Sequence, residues 1–456
     1  MANVIKLRKG LDINLKGKAK EKLVKARHGE YIALIPDSFV GVTPKVVVRE
    51  GDIVKAGDAL FVNKHYPEVK FASPVSGSIE AVVRGERRKV LAIKVRSDKE
   101  QNYVDFGKQD VSGLDGDTAI NKLLEAGLFG YINQLPYAVS TNPSEKPKAI
   151  FVSALRDKPL ASDFEFELQG NEKDFQTGLT VLSRIAKTYL GIGMSQSSTA
   201  LTQANDVEIN VFDGPCPAGN VSVQVNNTCK VNKGEIVWTV DPMNVIFFGR
   251  LFNTGHVDLK RRVAVVGSMV KEPQYVDTII GANIADIISD NICMDKKVRI
   301  IGGNVLTGTP ISTNGTPIST NDYIGANVSE ITAIPEGNDT NEMFGWIMPR
   351  IKQFSKNRSY FSWLLGKREY DIDCRVKGGE RRMIMSGEYD SVLPMDIYGE
   401  FLIKAILAGD IDRMEQLGIY EVAPEDFALA EFIDSSKLEL QKIVREGLDM
   451  LRKENG

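Results

Sequence analysis

Side chains that could ligate a metal or act as nucleophiles are few and widely spaced in this sequence. The four cysteines and three histidines are Cys216, Cys229, Cys293, Cys374, His28, His65 and His256. Zinc and iron–sulfur sites need closely spaced ligands such as CxxC pairs, and a disulfide framework needs more cysteine for this length. We therefore expect four reduced, buried thiols and no metal centre ligated by this chain.

A phosphate-binding loop is the second kind of chemistry to consider. Residues 149–155 form a short apolar run that predicts a β-strand, and a dinucleotide site would place a Gly-rich turn directly after it. The chain continues instead with Arg156-Asp-Lys-Pro-Leu-Ala-Ser-Asp. Gly191 and Gly193 follow a predicted helix, and we interpret them as its C-terminal cap. The sequence thus predicts an α/β domain of Rossmann-like order without a nucleotide site.

Length and composition indicate how many domains to expect and which class of protein this is. A chain of 456 residues exceeds what one hydrophobic core usually organises, so several domains are expected. With 43% hydrophobic and 26% charged residues and a net charge of -3, it has the composition of a soluble globular protein and no bias toward nucleic acid. Its apolar runs are far shorter than the roughly 20 residues of a membrane-spanning helix, and the N-terminus lacks a signal-peptide pattern. We expect a cytoplasmic location.

The N-terminal part is predicted to be all-β. Residues 43–95 alternate β-branched runs with glycines and prolines at turn positions. The strings 48–60 and 71–79 resemble the two halves of a biotinyl/lipoyl-type barrel-sandwich hybrid. A carrier of this fold presents a modified lysine at a hairpin tip, but Lys64 lacks the usual Ala-Met-Lys-Met setting. We therefore favour a scaffold role over a carrier role.

Four domains are predicted in all. Between 106 and 255, helical and strand patterns alternate, with a helix from Asn171 to Tyr189 and a strand at 207–212. Between 256 and 330, strands surround one short helix at 281–288, which suggests a β-grasp, and a tandem Gly-Thr-Pro-Ile-Ser-Thr-Asn at 308–321 predicts a surface loop. The predicted domains are a barrel-sandwich hybrid at 1–105, a Rossmann-like domain at 106–255, a β-grasp at 256–330 and a mainly helical domain at 331–456.

The C-terminal domain is predicted to hold three main helices. A helix at 395–408 has apolar residues around most of its surface, so we expect it to be well buried. Pro424 opens a second helix. Ser436 and Glu439 form a predicted capping box for the last helix, which carries an apolar stripe of Leu440, Ile443, Val444, Leu448 and Leu451.

Several strings together resemble one protein family from end to end. They are Ile5–Ile13, Gly85–Arg88, Phe212–Gly219, Phe248–Gly255, Trp363–Gly366 and Gly378–Ile397. In order and spacing they are similar to the NqrA family, the A subunits of the bacterial sodium-translocating NADH:quinone reductases. Two departures stand out: Cys216 occupies the usual histidine position of a Gly-Pro-His-Pro string, and the tandem heptamer is an apparent insertion.

The resemblance implies a translocase complex that oxidises NADH, reduces quinone and exports Na+. FAD, FMN, riboflavin and iron–sulfur centres would belong to other subunits, and this chain would bind none of them and would not be catalytic alone. It would lie on the cytoplasmic face of the inner membrane among the B to F subunits, closest to the membrane-embedded B subunit. The resemblance also implies an SLBB-like β-grasp and distant kinship with the flavin subunit of complex I and the C subunit of the Rnf complex. The alternative is a scaffold subunit of another, Rnf-like, membrane complex.

The role of the chain within such a complex stays open between docking and a share of the quinone site. A quinone needs an apolar or aromatic groove with a few hydrogen-bond donors. The candidate quinone-proximal residues are Phe212, Asp213, Gly214, Pro215, Pro217 and Gly219, with Trp238 and Phe247 further along the chain. The same Pro/Gly string also suits a rigid turn at a domain seam.

Two basic clusters are candidates for docking to anionic headgroups or an acidic partner, although a solvated face is the simpler interpretation. They are Lys16, Lys18, Lys20, Lys22, Lys25 and Arg27, and Arg84, Arg87, Arg88 and Lys89.

Overall fold

The first strands of the chain belong to sheets built mainly from later residues. The structure, a computed structural model, describes residues 3–26, 29–293, 295–311, 322–337, 351, 353–356, 360–365 and 368–455. Strand β1 (Asn3–Lys6) pairs parallel with Glu208–Asp213, and β2 (Leu23–Lys25) pairs parallel with Gln274–Ile279. The segment predicted to open the barrel-sandwich hybrid therefore connects two other sheets.

The barrel-sandwich hybrid follows as two small antiparallel sheets. Its strands are β3 (Tyr31–Leu34), β4 (Pro44–Val46), β5 (Ile53–Val54), β6 (Ala59–Asn63), β7 (Lys70–Ala72), β8 (Gly77–Arg84) and β9 (Val90–Ser97). Phe61 and Phe71 stack in its core with ring centroids 4.4 Å apart. Gly77 is required because a Cβ there would lie 1.9 Å from the Arg96 carbonyl oxygen. The predicted fold is confirmed, and Lys64 is exposed in the turn after β6.

A seven-stranded sheet forms the second unit, in the order β1-β14-β13-β12-β15-β10-β11. Its elements are α1 (Gly116–Glu125), β10 (Ile132–Leu135), β11 (Val139–Ser140), β12 (Ile150–Ser153), α2 (Phe164–Leu168), α3 (Glu172–Ile185), β13 (Thr188–Gly193), α4 (Thr199–Thr202), β14 (Glu208–Asp213), α5 (Val221–Thr228), β15 (Val237–Val240) and α6 (Pro242–Thr254). The strands from β1 to β15 in this order run parallel. From β12 the chain moves outward to β13 and β14 on one side and then crosses to β15 on the other side of β12, so the topological switch point lies between β12 and β15.

The predicted helical cap at Gly191 and Gly193 is wrong. The helix ends at Ile185, and both glycines lie in the fully buried central strand β13. A short apolar run is ambiguous between strand and helix, and the pairing partners on both sides decide it here. At Gly191 the backbone lies close to α5, since a Cβ there would be 1.9 Å from Gln224 Oε1 and the Gln224 side chain would have to move.

The third unit is the β-grasp, whose sheet has the order β19-β18-β20-β16-β17-β2. Its elements are β16 (Lys260–Val266), β17 (Gln274–Ile279), α7 (Ile284–Ile288), β18 (Val298–Gly302), β19 (Thr309–Pro310) and β20 (Glu330–Pro335). The predicted short helix corresponds to α7. The first heptamer copy contributes edge strand β19, and residues 312–321, with the rest of the repeat, lie outside the described part of the chain.

The described C-terminal part is helical. Its helices are α8 (Gly399–Ala408), α9 (Ile411–Gln416), α10 (Ala428–Ile433) and α11 (Leu440–Asn455). Single 3-10 turns occur at Pro36–Ser38, Glu86–Arg88, Phe129–Tyr131, Phe361–Trp363, Tyr389–Ser391, Ile419–Glu421 and Pro424–Phe427. None of the helices in the described ranges has the length and apolar character needed to cross a bilayer.

Two predictions for this helical part need correction. Helix α8 is only half buried, since Leu402 and Ile403 face the core while Phe401 and Leu407 are exposed. Ser436 does not cap α11, because its hydroxyl donates to the Arg382 carbonyl and the Gln441 amide donates to a Glu431 carboxylate oxygen at 2.8 Å. The turn at 434–439 thus separates the predicted box from the helix. The apolar stripe of α11 is confirmed, with Leu440, Val444, Leu448 and Leu451 buried and Ile443 half-buried.

Close contact between α3 and α6 depends on glycine. A Cβ on Gly249 would lie 1.7 Å from the Asp174 carbonyl oxygen, and one on Gly178 would lie 2.0 Å from that of Val245. Both carbonyl oxygens belong to the backbone, so they cannot move away by a change of side-chain rotamer. We expect Gly249→Ala to lower the free energy of unfolding by about 1–3 kcal/mol or more, measured as a lower melting temperature by circular dichroism.

The matched control is Gly113→Ala, in a turn where an added Cβ would meet nothing within 4 Å. Its melting temperature should stay the same or rise slightly. Equal effects of the two substitutions would contradict close packing of α3 on α6.

Candidate functional site

A cleft of about 510 Å³ opens at the carboxyl ends of β12 and β15. Ser153 and Val240, the last residues of the two strands, lie in its wall. Residues near Ile35 from the barrel, near Gly303 from the β-grasp and Glu425 from the helical part complete the lining. The cleft therefore lies at the switch point, where doubly wound folds bind their ligands.

Arg156 fixes the loop after β12. Its Nη1 donates to Glu167 Oε1 at 2.9 Å and Oε2 at 3.1 Å, and to Ser162 Oγ at 2.6 Å. Its Nη2 lies 3.6 Å from Asp241 Oδ1, on the residue that caps α6. Glu167 of α2 is fully buried, and burial raises the pKa of its carboxyl to about 7, although Arg156 beside it favours the charged form.

Arg261 brings a second buried guanidinium to this place from β16. It is 2% exposed, its Nη1 donates to the Ala326 carbonyl at 2.7 Å, and burial lowers its pKa against the opposing effect of Asp241 and Glu167. Glu330 of β20 is 4% exposed and lies within electrostatic reach. We name Arg156, Glu167, Asp241, Arg261 and Glu330 the charge cluster. Its members come from the α/β unit and from the β-grasp, so the cluster lies where these two units meet at the cleft.

The charges that face the cleft do not suit a nucleotide or flavin phosphate. The charged lining residues are Asp37, Asp157, Asp241, Glu330, Glu425, Arg156 and Lys158. Five carboxylates thus oppose two cations, and both cations are already paired, Lys158 Nζ lying 2.5 Å from Glu425 Oε2. The N-terminus of α2, which would face a phosphate in a nucleotide-binding fold, is capped by Asp163, whose carboxylate accepts from the Glu165 amide at 2.9 Å. An anionic phosphate would meet repulsion here.

The six predicted quinone-proximal residues lie at the end of β14 and in the loop that leads to α5, and the structure does not gather them into a groove. Phe212 and Pro217 are buried, Asp213, Pro215 and Gly219 are half-buried, and Gly214 is exposed. Of these six described residues, Gly219 alone lines the cleft. Trp238 and Phe247 are fully buried elsewhere in the core, with Trp238 edge-on to Phe129 at 5.5 Å.

This loop is held on two sides by hydrogen bonds. Toward the N-terminal segment, the Leu7 amide donates to the Asp213 carbonyl at 2.8 Å and the Cys216 amide donates to Asp12 Oδ1 at 3.0 Å. Toward the cleft, the Gly219 amide donates to Asp157 Oδ2 at 2.8 Å. A Cβ on Gly214 would lie 2.6 Å from the Leu7 carbonyl oxygen. These contacts have the geometry of a rigid seam between the N-terminal segment and the cleft.

The cysteines offer little reactivity. Cys216 is 2% exposed, and burial raises the pKa of its thiol, so it stays protonated near neutral pH. Cys229, Cys293 and Cys374 are free but only half-buried, so the expected burial is confirmed for Cys216 and is wrong for these three. Within the described ranges, no group of three or more His, Cys, Asp or Glu side chains could hold a metal ion. His28, one of the candidate ligands, lies outside those ranges with Arg27.

Sequence reasoning did not identify the charge cluster or the cleft. The sequence did contain a signal, because Asp241 directly follows the apolar strand β15 and Arg156-Asp-Lys begins three residues after the end of the apolar strand β12. Polar residues at the carboxyl ends of parallel strands commonly line a binding crevice. Glu167, Arg261 and Glu330 reach the charge cluster only through the packing of the folded units. No pattern in the sequence around these three residues indicates that they lie there.

Comparison with known proteins agrees with this architecture. The chain matches the NqrA N-terminal barrel-sandwich hybrid domain over residues 5–98, the NqrA second alpha/beta domain over 114–257 and the NQRA C-terminal domain, an SLBB domain, over 262–313. Among solved structures, an NAD+-reducing NiFe hydrogenase in the air-oxidized state aligns with a TM-score of 0.35 and 12% identity over 48% of this chain and 47% of its own. That likeness is too low to carry an argument.

Curated relatives match over nearly the full length. Proteins named as the A subunit of the Na(+)-translocating NADH-quinone reductase are 32% identical in Haemophilus influenzae (strain PittGG), 33% in Yersinia pestis bv. Antiqua (strain Angola) and 32% in Vibrio alginolyticus. Each alignment covers 99% of this chain and 100% of the relative. These findings confirm the resemblance seen in the motifs and give no support to the Rnf-like alternative. The chain therefore belongs to the NqrA family, the A subunits of the Na+-translocating NADH-quinone reductases.

Proposed function

We propose that this chain, as the NqrA component of a Na+-translocating NADH-quinone reductase, is a docking subunit that carries no redox cofactor of its own. It lies on the cytoplasmic face of the membrane and contacts the B to F subunits, the membrane-embedded B subunit most closely. FAD, FMN, riboflavin and iron–sulfur centres belong to those partners. Electrons then pass from NADH to quinone through cofactors of the other subunits and through none on this chain.

The observation that carries this proposal is the composition of the cleft. A doubly wound fold offers its ligand site at the switch point, yet here the loop after β12 is held by the Arg156–Glu167 pair and the wall is rich in carboxylates. Such a site repels phosphate and leaves no glycine turn to receive it. The chain thus keeps the doubly wound fold but lacks the features that bind a nucleotide in that fold, as expected of a structural subunit.

Quinone is the second candidate, because a neutral ring would not be repelled by the carboxylates. The cleft wall also carries apolar side chains, including Leu155, Val221 and Val240, and hydroxyl groups such as that of Thr239. A headgroup would fit a volume of about 510 Å³. The predicted loop at 212–219 would then act through Gly219, its one residue in the cleft wall.

Filling the cleft separates the two candidates. Ala161 is half-buried in the cleft wall, so Ala161→Trp would occupy the space of a headgroup. We expect the assembled complex to keep its KM for quinone and its inhibitor sensitivity, because docking does not require an empty cleft. Steady-state quinone reduction by the purified complex checks this, with Ala161→Ser as the small-residue control.

A rise of ten-fold or more in the KM for quinone with Ala161→Trp, in a fully assembled complex and with Ala161→Ser normal, would place quinone in the cleft. That outcome would replace the purely structural role.

Electrostatic docking gives a separate prediction. Lys16, Lys18 and Lys20 are exposed at alternate positions of the segment that bends at Gly17, and we name these three residues the lysine row. Each lysine near an anionic surface contributes roughly 1 kcal/mol. The triple change Lys16→Glu, Lys18→Glu and Lys20→Glu should therefore release the chain from membranes at a clearly lower salt concentration.

The control carries the same charge change on the barrel, at the exposed residues Lys45, Lys55 and Lys64. Salt extraction followed by immunoblotting compares the two triple variants. Identical extraction curves for both variants and the unaltered chain would contradict docking through the lysine row.

A further inference from the structure

Exposed apolar side chains are concentrated in one stretch of the chain. Eleven of the eighteen large apolar residues that are exposed in the described ranges lie between Ile351 and Leu407. The densest group is Phe361, Trp363, Leu364 and Leu365, which are 44%, 52%, 65% and 38% exposed. We name these four residues the apolar turn. Soluble surfaces rarely collect large apolar side chains in this way without a binding partner.

The apolar turn stands on a buried and hydrogen-bonded base. Phe361–Trp363 form one 3-10 turn, and the Leu365 amide donates to the Ser362 carbonyl at 3.3 Å. Between the exposed residues, Ser362 is 8% exposed, and its hydroxyl donates to the Ser355 carbonyl at 2.6 Å. Tyr370, 3% exposed, packs against Phe354 beneath the turn at 5.5 Å. The apolar side chains are therefore presented outward by a fixed backbone.

The stretch that contains the turn is basic. From Ile351 to Arg368 the sequence has five basic residues and no acidic one, and the exposed acidic residues Glu369 and Asp371 come after it. Among the described members of this set, Arg368 is exposed and Lys356 is half-buried. Tryptophan, phenylalanine and leucine beside lysine and arginine are the composition of segments that lie in the interface of an anionic bilayer, where the apolar groups enter and the cations meet headgroups.

Size also favours a bilayer over a protein partner. The exposed parts of the four side chains amount to roughly 400 Å², given 150–250 Å² for a whole aromatic side chain. A stable protein interface takes about 800 Å² from each partner. A small projecting turn suits a fluid interface, which needs no matching pocket.

We infer that the apolar turn inserts into the headgroup region of an anionic bilayer and anchors the chain at the membrane surface. The inference deepens the proposed docking function, on which it rests. Insertion buries the side chains of Phe361, Trp363 and Leu364, while Lys356 and Arg368 lie near the lipid phosphates.

The test uses the purified full chain and vesicles of phosphatidylcholine alone or with one quarter phosphatidylglycerol. All forms carry Trp346→Phe, so that the remaining tryptophans are the fully buried Trp238 and the exposed Trp363. We expect co-sedimentation with the anionic vesicles, a blue shift of the emission and quenching by brominated acyl chains. The double variant Phe361→Ser, Leu364→Ser should bind at least ten-fold more weakly, whereas Ile53→Ser, at an 86% exposed residue of the barrel, should not change binding.

Equal melting temperatures will show that the variants remain folded. Three results would each overturn bilayer insertion: no binding to either vesicle, unchanged binding of the double variant, or binding without quenching of Trp363. Retention of the chain on the detergent-solubilised membrane subunits is measured in parallel. If the double variant loses that retention but not vesicle binding, the turn contacts a protein partner and the inference is wrong. If the unaltered chain is not retained at all, the docking function fails independently of the vesicle result.

Discussion

The ion pair between Arg156 and Glu167 is the interaction on which the rest of this structure depends. A fully buried carboxylate next to a guanidinium is costly to desolvate, and removing either partner alone would leave an unpaired charge at a cost of roughly 3–5 kcal/mol. The pair holds the loop after the central strand β12 in one conformation. Arg261 and Glu330 of the β-grasp lie within electrostatic reach of this pair, so charged groups of both units meet at the cleft.

Long-range connections of the N-terminal segment complete the same framework. Strand β1 extends the parallel sheet and β2 extends the β-grasp sheet, so residues 3–25 connect the units before the barrel-sandwich hybrid begins. The loop at 212–219 is hydrogen-bonded both to this segment and to Asp157 at the cleft. Rigid seams of this kind are what a docking protein needs if it must present fixed surfaces to several partners.

Patterns that are local in sequence predict their elements well. Gly and Pro between β-branched runs indicate the barrel-sandwich hybrid, residues 281–288 indicate α7, and the apolar stripe of α11 is buried. Predictions fail where the outcome depends on distant residues. The short apolar run of β13 fits both a strand and the end of a helix, and only pairing with β12 and β14 decides between them. The predicted burial of α8 is too high because periodicity does not reveal which faces find a neighbour.

The candidate site shows the same limit more strongly. The string at 212–219 is visible in the sequence, but its aromatic companions Trp238 and Phe247 lie in the core. The charge cluster comes from five separate positions in the sequence. Sequence can indicate that a phosphate loop is missing after β12, yet the carboxylates that face the cleft from other units become visible only in the fold.

The most direct test of the central claim is to remove this chain from the purified complex with salt and to measure flavin and iron in both fractions. A docking subunit without cofactors should leave every flavin and iron atom with the remaining subunits and should itself be colourless, and adding it back should restore quinone reduction. Flavin or iron that leaves with this chain in stoichiometric amount would contradict the account.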